Sequence, residues 1–213
     1  MRSLWDRFTS LARELFDVQL EAAELERLER FVELLEAWSE KINLVSAGSR
    51  EEIVTRHLLD SLAPSALLPD VTELADFGSG AGFPGIPLAV LNPGARVHLI
   101  EARRRRSNFL RHVVRSLSLS NATVHEIRAE NWRPGSSIGA VVGRAIRADV
   151  LAGLALPVLV PTGSLIVMRK AVKAETPLRG FLLEAIVQYR LPGNQRHEVA
   201  RYRKAGVASD CFT

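Results

Sequence analysis

One carboxylate and four closely spaced glycines fall in a single run, Asp76-Phe77-Gly78-Ser79-Gly80-Ala81-Gly82-Phe83-Pro84-Gly85. Glycine reaches positive φ without penalty and lets the backbone approach a ligand where a Cβ would collide. Farther on, the apolar stretch Val97-His98-Leu99-Ile100 ends in Glu101, an acid that can accept both hydroxyls of a ribose. Strand, glycine turn, helix, then a second strand closed by an acid describes a nucleoside-binding half-sheet. Two nucleosides suit it, S-adenosylmethionine and NAD, and a turn of purely structural purpose is a third reading. Asp76 stands two residues before Gly78, in the Asp-x-Gly-x-Gly-x-Gly form typical of the methyl donor's site. Pro84 and Pro87 lie where a phosphate-capping helix would offer free N–H groups, which proline lacks. S-adenosylmethionine has no phosphate and loses nothing there, so the weight falls on the methyl donor.

Directly after Glu101 comes Arg103-Arg104-Arg105-Arg106, opening a helix with the apolar face Phe109, Leu110, Val113, Val114 and Leu117. Positive charges at a helix N-terminus oppose the helix dipole and repel each other. RNA phosphate is the expected counter-anion, with a solvated basic face as the alternative. His57, Asp60 and Ser61 offer the residue types of a hydrolytic triad. Their spacing puts them on neighbouring turns of one short helix rather than converging on a substrate, and no Gly-x-Ser-x-Gly elbow accompanies them. Arg56, His57 and Asp60 are instead expected to tie a helical cap to the edge of the pocket. The remaining histidines lack metal-ligand spacing, and no metal site is expected.

These groups must be positioned by regular elements. Apolar residues at Leu20, Leu25, Leu28, Phe31, Leu35, Trp38 and Ile42 predict a helix over Val18–Ile42. Ser49-Arg50-Glu51-Glu52 has capping-box spacing and opens a helix that stops near Pro64. Beyond Pro69, strands are expected near Glu73–Gly78, Arg96–Glu101, Thr123–Arg128, Ala140–Arg144 and Ser164–Lys170. Two more, Ala185–Leu191 and Glu198–Lys204, flank the turn Pro192-Gly193-Asn194. Five α/β repeats and a terminal hairpin are the order of a class I methyltransferase. The expected architecture is α/β: an N-terminal helical cap (residues 1–69) on a Rossmann-like domain (residues 70–213) with a seven-stranded mixed sheet.

The chain of 213 residues is 47% apolar, enough to bury one good core. No apolar run reaches the length of a membrane span, and charges interrupt the N-terminus where a signal peptide would be apolar. A single cysteine, Cys211, leaves no disulfide framework. A cytoplasmic monomer is expected. Charge is uneven: residues 1–60 carry 8 Lys/Arg against 13 Asp/Glu, and residues 61–213 carry 20 against 11. Of the 28 basic residues, 24 are arginine, the side chain suited to phosphate and to stacking on bases.

Asn43-Leu44-Val45-Ser46, Arg56-His57-Leu58-Leu59-Asp60-Ser61 and the run from Asp76 to Pro87 together resemble the RsmG (GidB) family. The likeness continues through Arg128-Ala129-Glu130, Gly143-Arg144-Ala145 and Arg196-His197-Glu198. The resemblance implies S-adenosylmethionine as cofactor and N7 of a guanine in small-subunit (16S) ribosomal RNA as acceptor. It implies that Asp76, Gly78, Ser79, Gly80, Gly82, Phe83, Glu101, Ala129, Glu130 and Arg144 border the cofactor. Arg144 is also the expected catalytic residue, orienting the base, a phosphate or the cofactor, and Arg147 joins the arginine run on RNA. The chain departs from the family pattern at Gly143 and Ile146, where serine and phenylalanine are usual. It departs again at Met168-Arg169-Lys170, where Leu-Lys-Gly is usual. Other readings are a small-molecule methyltransferase, an NAD-dependent oxidoreductase and a non-catalytic RNA-binding protein. The basic C-terminal part weighs against the first and the two prolines against the second.

Overall fold

The computed structural model describes residues 3–40, 42, 44, 49–172 and 177–205. Asn43, Val45, Ser46 and Cys211 lie outside the described residues. The chain opens with a helix that the sequence reading did not anticipate, α1 (Leu4–Phe16). Its signal was present: Asp6 N–H donates to Ser3 Oγ and Ser3 N–H to Asp6 Oδ2, both at 3.1 Å, a reciprocal cap. Phe8, Ala12 and Phe16, spaced by four, are its buried face. Asp17 ends it in the left-handed region at φ 56°.

Helix α2 spans Ala22–Ser39, shorter at both ends than the apolar pattern, and buries Leu28, Phe31, Val32, Leu34 and Leu35. Ser49 Oγ accepts from Glu52 N–H at 3.2 Å and starts the short α3 (Arg50–Glu52). This widens at once into a π-helical turn over Ile53–Leu58, and a 3-10 turn follows at Ala63–Ala66.

The sheet contains β1 (Glu73–Phe77), β2 (Arg96–Ile100), β3 (Ala122–His125), β4 (Ile138–Arg144), β5 (Leu159–Lys170), β6 (Phe181–Arg190) and β7 (Arg196–Lys204). Their order is β3-β2-β1-β4-β5-β7-β6, with β1 to β5 parallel and β7 antiparallel between β5 and β6. All seven strands fall where the sequence placed them, with ends moved by a few residues. Every residue of β1 is buried, as expected of a parallel strand covered on both faces.

Helices α4 (Gly85–Leu91) and α5 (Arg104–Ser116) cover one face, and α6 (Ala148–Ala155) the other. The first face shares a single apolar core with the N-terminal helices. Phe8, Phe31 and Leu35 belong to the same buried cluster as Ile86, Phe109, Leu110 and Val142. The second core holds Phe77, Ile100, Trp132, Val141 and Leu151.

Candidate active site

Strand order reverses between β1 and β4, which lie side by side with Phe77 opposite Gly143. In open α/β sheets the crevice beyond the carboxyl ends of such a pair is the place for a ligand. Three loops meet there: the glycine turn after β1, the acid after β2 and Arg144 at the end of β4.

The glycine turn is folded back by its own amides. Gly78 and Ser79 N–H both donate to Ile100 O (2.9 and 3.1 Å), and Ser79 Oγ donates to Asp76 O at 2.9 Å. Gly78, Gly80 and Gly82 have φ of 71°, 56° and 92°. The space where their side chains would stand differs. A Cβ on Gly82 would meet Ile86 Cγ1 at 2.8 Å and Phe31 Cζ at 3.2 Å, so this glycine makes room for the core rather than for a ligand. A Cβ on Gly78 would touch Ile146 Cδ1 at 3.1 Å. Gly80 alone has nothing nearer than 3.6 Å, the distance to Arg106 Nη1 and Gly78 O.

Glu101 is buried, and its carboxylate is spread over two backbone donors. Oε2 accepts from Gly80 N–H at 3.0 Å and Oε1 from Arg103 N–H at 2.7 Å. Each oxygen keeps a lone pair for a hydroxyl. Asp76 is fully enclosed: Oδ2 accepts from Gly85 N–H at 3.0 Å, and Oδ1 has no hydrogen-bond partner. Burial pushes its carboxyl up to about 7, against the Gly85 hydrogen bond. Ala129 and Glu130 lie on a 3-10 turn (Ala129–Asn131) after β3. Ala129 packs on the second core, while Glu130 is exposed, 3.8 Å from Arg128. Trp132 behind this turn packs edge-on against Phe77, centroids 5.8 Å apart. An open glycine backbone beside a shared carboxylate suits a ribose, and a buried unpaired acid suits a cationic ligand, so these residues fit S-adenosylmethionine.

Arg144 does not stand free. Its Nη2 is 2.6 Å from His57 Nδ1, Nη1 donates to His57 O at 3.2 Å and to Ser61 Oγ at 3.5 Å, and Nε lies 3.4 Å from Asp60 Oδ2. His57, Asp60 and Ser61, expected on neighbouring turns of one helix, thus meet on one guanidinium, and His57 and Asp60 join the N-terminal segment to β4. Arg56 instead pairs with Glu52 within its own segment. Burial, followed by the Arg144 and Arg56 charges, pushes His57 down to about 4, leaving a neutral ring able to accept from Arg144. That ring stacks on Phe83, centroids 5.8 Å apart and 29° between planes. Phe83 also packs edge-on against Phe31, so it joins the glycine turn to the N-terminal helices.

Sequence reasoning did not place Tyr189 or His197 here. Tyr189 Oη donates to Asp60 Oδ1 at 2.7 Å, and His197 Nδ1 is 3.2 Å from the same oxygen. No local spacing could signal this, because the partners are 129 residues apart.

Arg103, Arg104 and Arg105 are exposed, and Arg106 is half-buried beside Gly80. Arg147 is exposed, and its guanidinium holds the Asp149 carboxylate at 2.7 and 3.1 Å. Two departures from the family pattern acquire physical reasons. A Cβ on Gly143 would meet Leu151 Cδ2 at 2.6 Å, so this glycine is matched to its neighbour. Arg169 is held by Glu198 Oε1 at 2.7 Å, across β5 and β7. Among the described residues no group of three His, Cys, Asp or Glu could hold a metal ion. None of their helices is long and apolar enough to cross a membrane.

Strand order, glycine turn and closing acid define a class I methyltransferase fold. Solved structures agree at the level of fold. One is a protein assigned as an O-methyltransferase from Klebsiella pneumoniae (TM-score 0.59, 12% identity, 95% of this chain and 100% of that one). Another is P. horikoshii TYW2 in complex with MeSAdo (TM-score 0.57, 14% identity, 76% and 65%). The sequence model of GidB, rRNA small subunit methyltransferase G, matches residues 24–192, and the chain belongs to that family. Relatives named ribosomal RNA small subunit methyltransferase G include one from Stenotrophomonas maltophilia, 37% identical over 89% of this chain and 92% of its own. Another, from Lactococcus lactis, is 33% identical over 90% and 87%.

Proposed function

We propose that this protein transfers the methyl group of S-adenosylmethionine to N7 of a guanine in small-subunit (16S) ribosomal RNA. One observation carries the reading beyond the family: cofactor cradle and basic surface are built from one segment. Glu101 holds the glycine turn, and Arg103, Arg104 and Arg105 follow directly as the exposed opening of α5, with Arg106 half-buried beside Gly80. A strand end that grips the nucleoside therefore also points phosphate-binding side chains past it.

When bound, S-adenosylmethionine supplies an electrophilic methyl on a sulfonium. Glu101 takes the ribose hydroxyls, and the open backbone at Gly80 lets the nucleoside lie against the turn. Asp76, Gly78, Ser79, Gly82 and Phe83 shape that turn, and the Ala129–Glu130 segment borders the adenine. Guanine N7 has a free lone pair and no proton, so no general base is required. The work left to the protein is alignment and charge control. Arg144, fixed by His57, Asp60 and Ser61, orients the acceptor, and the arginine run with Arg147 holds the surrounding RNA. Residues 1–69 cap the site, and residues 70–213 form the methyltransferase domain. The protein acts on ribosomal RNA in the cytoplasm, as a monomer.

The test is incubation with labelled S-adenosylmethionine and small subunits lacking the modification, followed by mapping of the labelled base. Label at a guanine N7 of the 16S RNA is the expected result. Binding of the subunit without transfer would instead make the protein a non-catalytic RNA-binding module.

A further inference from the structure

We infer that Asp60 is a positioning residue: it holds the Arg144 guanidinium in the pose from which that side chain meets the acceptor guanine. Only the last step, the meeting with guanine, rests on the proposed function.

Four separate segments meet around Arg144 and this carboxylate. The π-helical turn and the residues just after it supply His57, Asp60 and Ser61; β4 supplies Arg144, β6 Tyr189 and β7 His197. Oδ1 takes the Tyr189 hydroxyl at 2.7 Å and faces His197 Nδ1 at 3.2 Å, which leaves Oδ2 turned to Arg144 Nε at 3.4 Å. The Asp60 side chain is 5% exposed and that of Arg144 is 22% exposed. The carboxylate is thus sealed inside while the arginine still reaches the crevice. Burial pushes the Asp60 carboxyl up, but His197, the Arg144 charge and Tyr189 together hold it below the usual carboxylate range, so it stays charged. Tyr189 is itself braced edge-on by Phe16 of α1, centroids 4.9 Å apart. The anchor of Arg144 therefore runs from the first helix to the last strand.

An apolar plug would hold these segments together at least as well, because a buried ion pair gives back in desolvation what it gains in attraction. What the pair adds is a direction for one guanidinium. Arginine loses much rotamer freedom when held, and a methyl transfer that depends on alignment is sensitive to a small misplacement. A π-helical turn at this point also suits a functional site, since such turns concentrate there.

A double-mutant cycle separates this role from mere bracing. Asp60→Asn keeps the shape and removes the charge, and Arg144→Lys keeps the charge and removes the fork. Single-turnover methyl transfer to small subunits should fall by about tenfold or more for Asp60→Asn in the native background, but less than about twofold in Arg144→Lys. Cofactor affinity should stay within about twofold, because Asp60 touches none of the cradle. Equal losses in both backgrounds would overturn the inference and leave Asp60 a brace. If the native protein methylates no ribosomal RNA, the proposed function fails, and guanidinium NMR still decides this inference. The Arg144 Nε–H signal, assigned by its loss in Arg144→Lys, should shift and exchange faster with solvent in Asp60→Asn. An unchanged Arg144 signal would overturn it. If Asp60→Asn does not fold, Tyr189→Phe, which removes one donor from the hub, is carried through the same cycle.

Discussion

Gly85 donates its N–H to Asp76 Oδ2 at 3.0 Å, while Asp76 Oδ1, on the far side of the same carboxyl, is buried without a hydrogen-bond partner. The glycine turn is thereby pinned to the first turn of α4 through a buried acid. Burial raises the Asp76 carboxyl from 3.8 to about 7. A carboxyl raised on folding contributes stability that is fully present below its unfolded pKa and lost as pH rises through its folded one. Its contribution therefore declines between 3.8 and about 7. His57, lowered from 6.5 to about 4, works in the opposite sense over nearly the same window and masks the effect in the native curve. The variant difference is the readout. Asp76→Asn should melt progressively higher relative to the native protein as pH goes from about 5 to about 8. A gap that does not change with pH would show that Asp76 does not titrate there.

Gly80 and Gly82 should separate binding from folding. Both have positive φ, which costs a non-glycine residue about 1–3 kcal/mol. Only Gly82 adds collisions, with Ile86 Cγ1 at 2.8 Å and Phe31 Cζ at 3.2 Å. Gly82→Ala should lower Tm clearly more than Gly80→Ala. Gly80→Ala should keep the fold and lose affinity for S-adenosylmethionine, measured by calorimetry. Undiminished affinity in Gly80→Ala would move the ligand away from this turn.

Glu101→Gln should weaken S-adenosylmethionine by about 1–3 kcal/mol, the usual cost of disturbing a charge-assisted hydrogen bond. Affinity for ribosomal RNA should hardly change. Glu101 also receives the Gly80 and Arg103 amides, so hydrogen exchange at those two N–H groups should speed up in the variant. Loss of RNA binding with cofactor affinity retained would misplace this acid.

Replacing Arg103, Arg104, Arg105 and Arg106 with serine should weaken binding to ribosomal RNA and flatten its salt dependence. Each lost phosphate contact lowers the slope by about 0.7 for single-stranded RNA. The Arg103 contribution to the cradle is a backbone N–H that serine also has. Any loss of cofactor affinity should therefore come from Arg106, the one side chain of the four beside Gly80, and should be reproduced by Arg106→Ser alone. Tm should hold or rise, because α5 has no acid in its first turn and the replacement removes charges that oppose its dipole. An unchanged salt slope would return the run to an ordinary solvated face.

The sequence by itself determined the elements and the cradle. Short apolar runs separated by helical spacing set the strands, and glycine at Gly78, Gly80 and Gly82 followed from a chain that must turn through positive φ. Glu101 was legible because it directly follows the end of an apolar strand. Such signals are local, since each depends on residues within one or two turns of chain. The first helix was legible too, through the Ser3–Asp6 cap and the four-residue spacing of Phe8, Ala12 and Phe16, though the reading passed over it. Only the tertiary structure decided that Gly82 serves the core and Gly80 the crevice, because the difference lies in Phe31 and Ile86 packed against one of them. It alone brought His57, Asp60 and Ser61 together on Arg144 with Tyr189 and His197 behind. Spacings of three and four put those three on one helix face, but nothing local says what that face meets. A strand from a distant part of the sequence carries Arg144 onto that face, and sheet order rather than spacing places that strand.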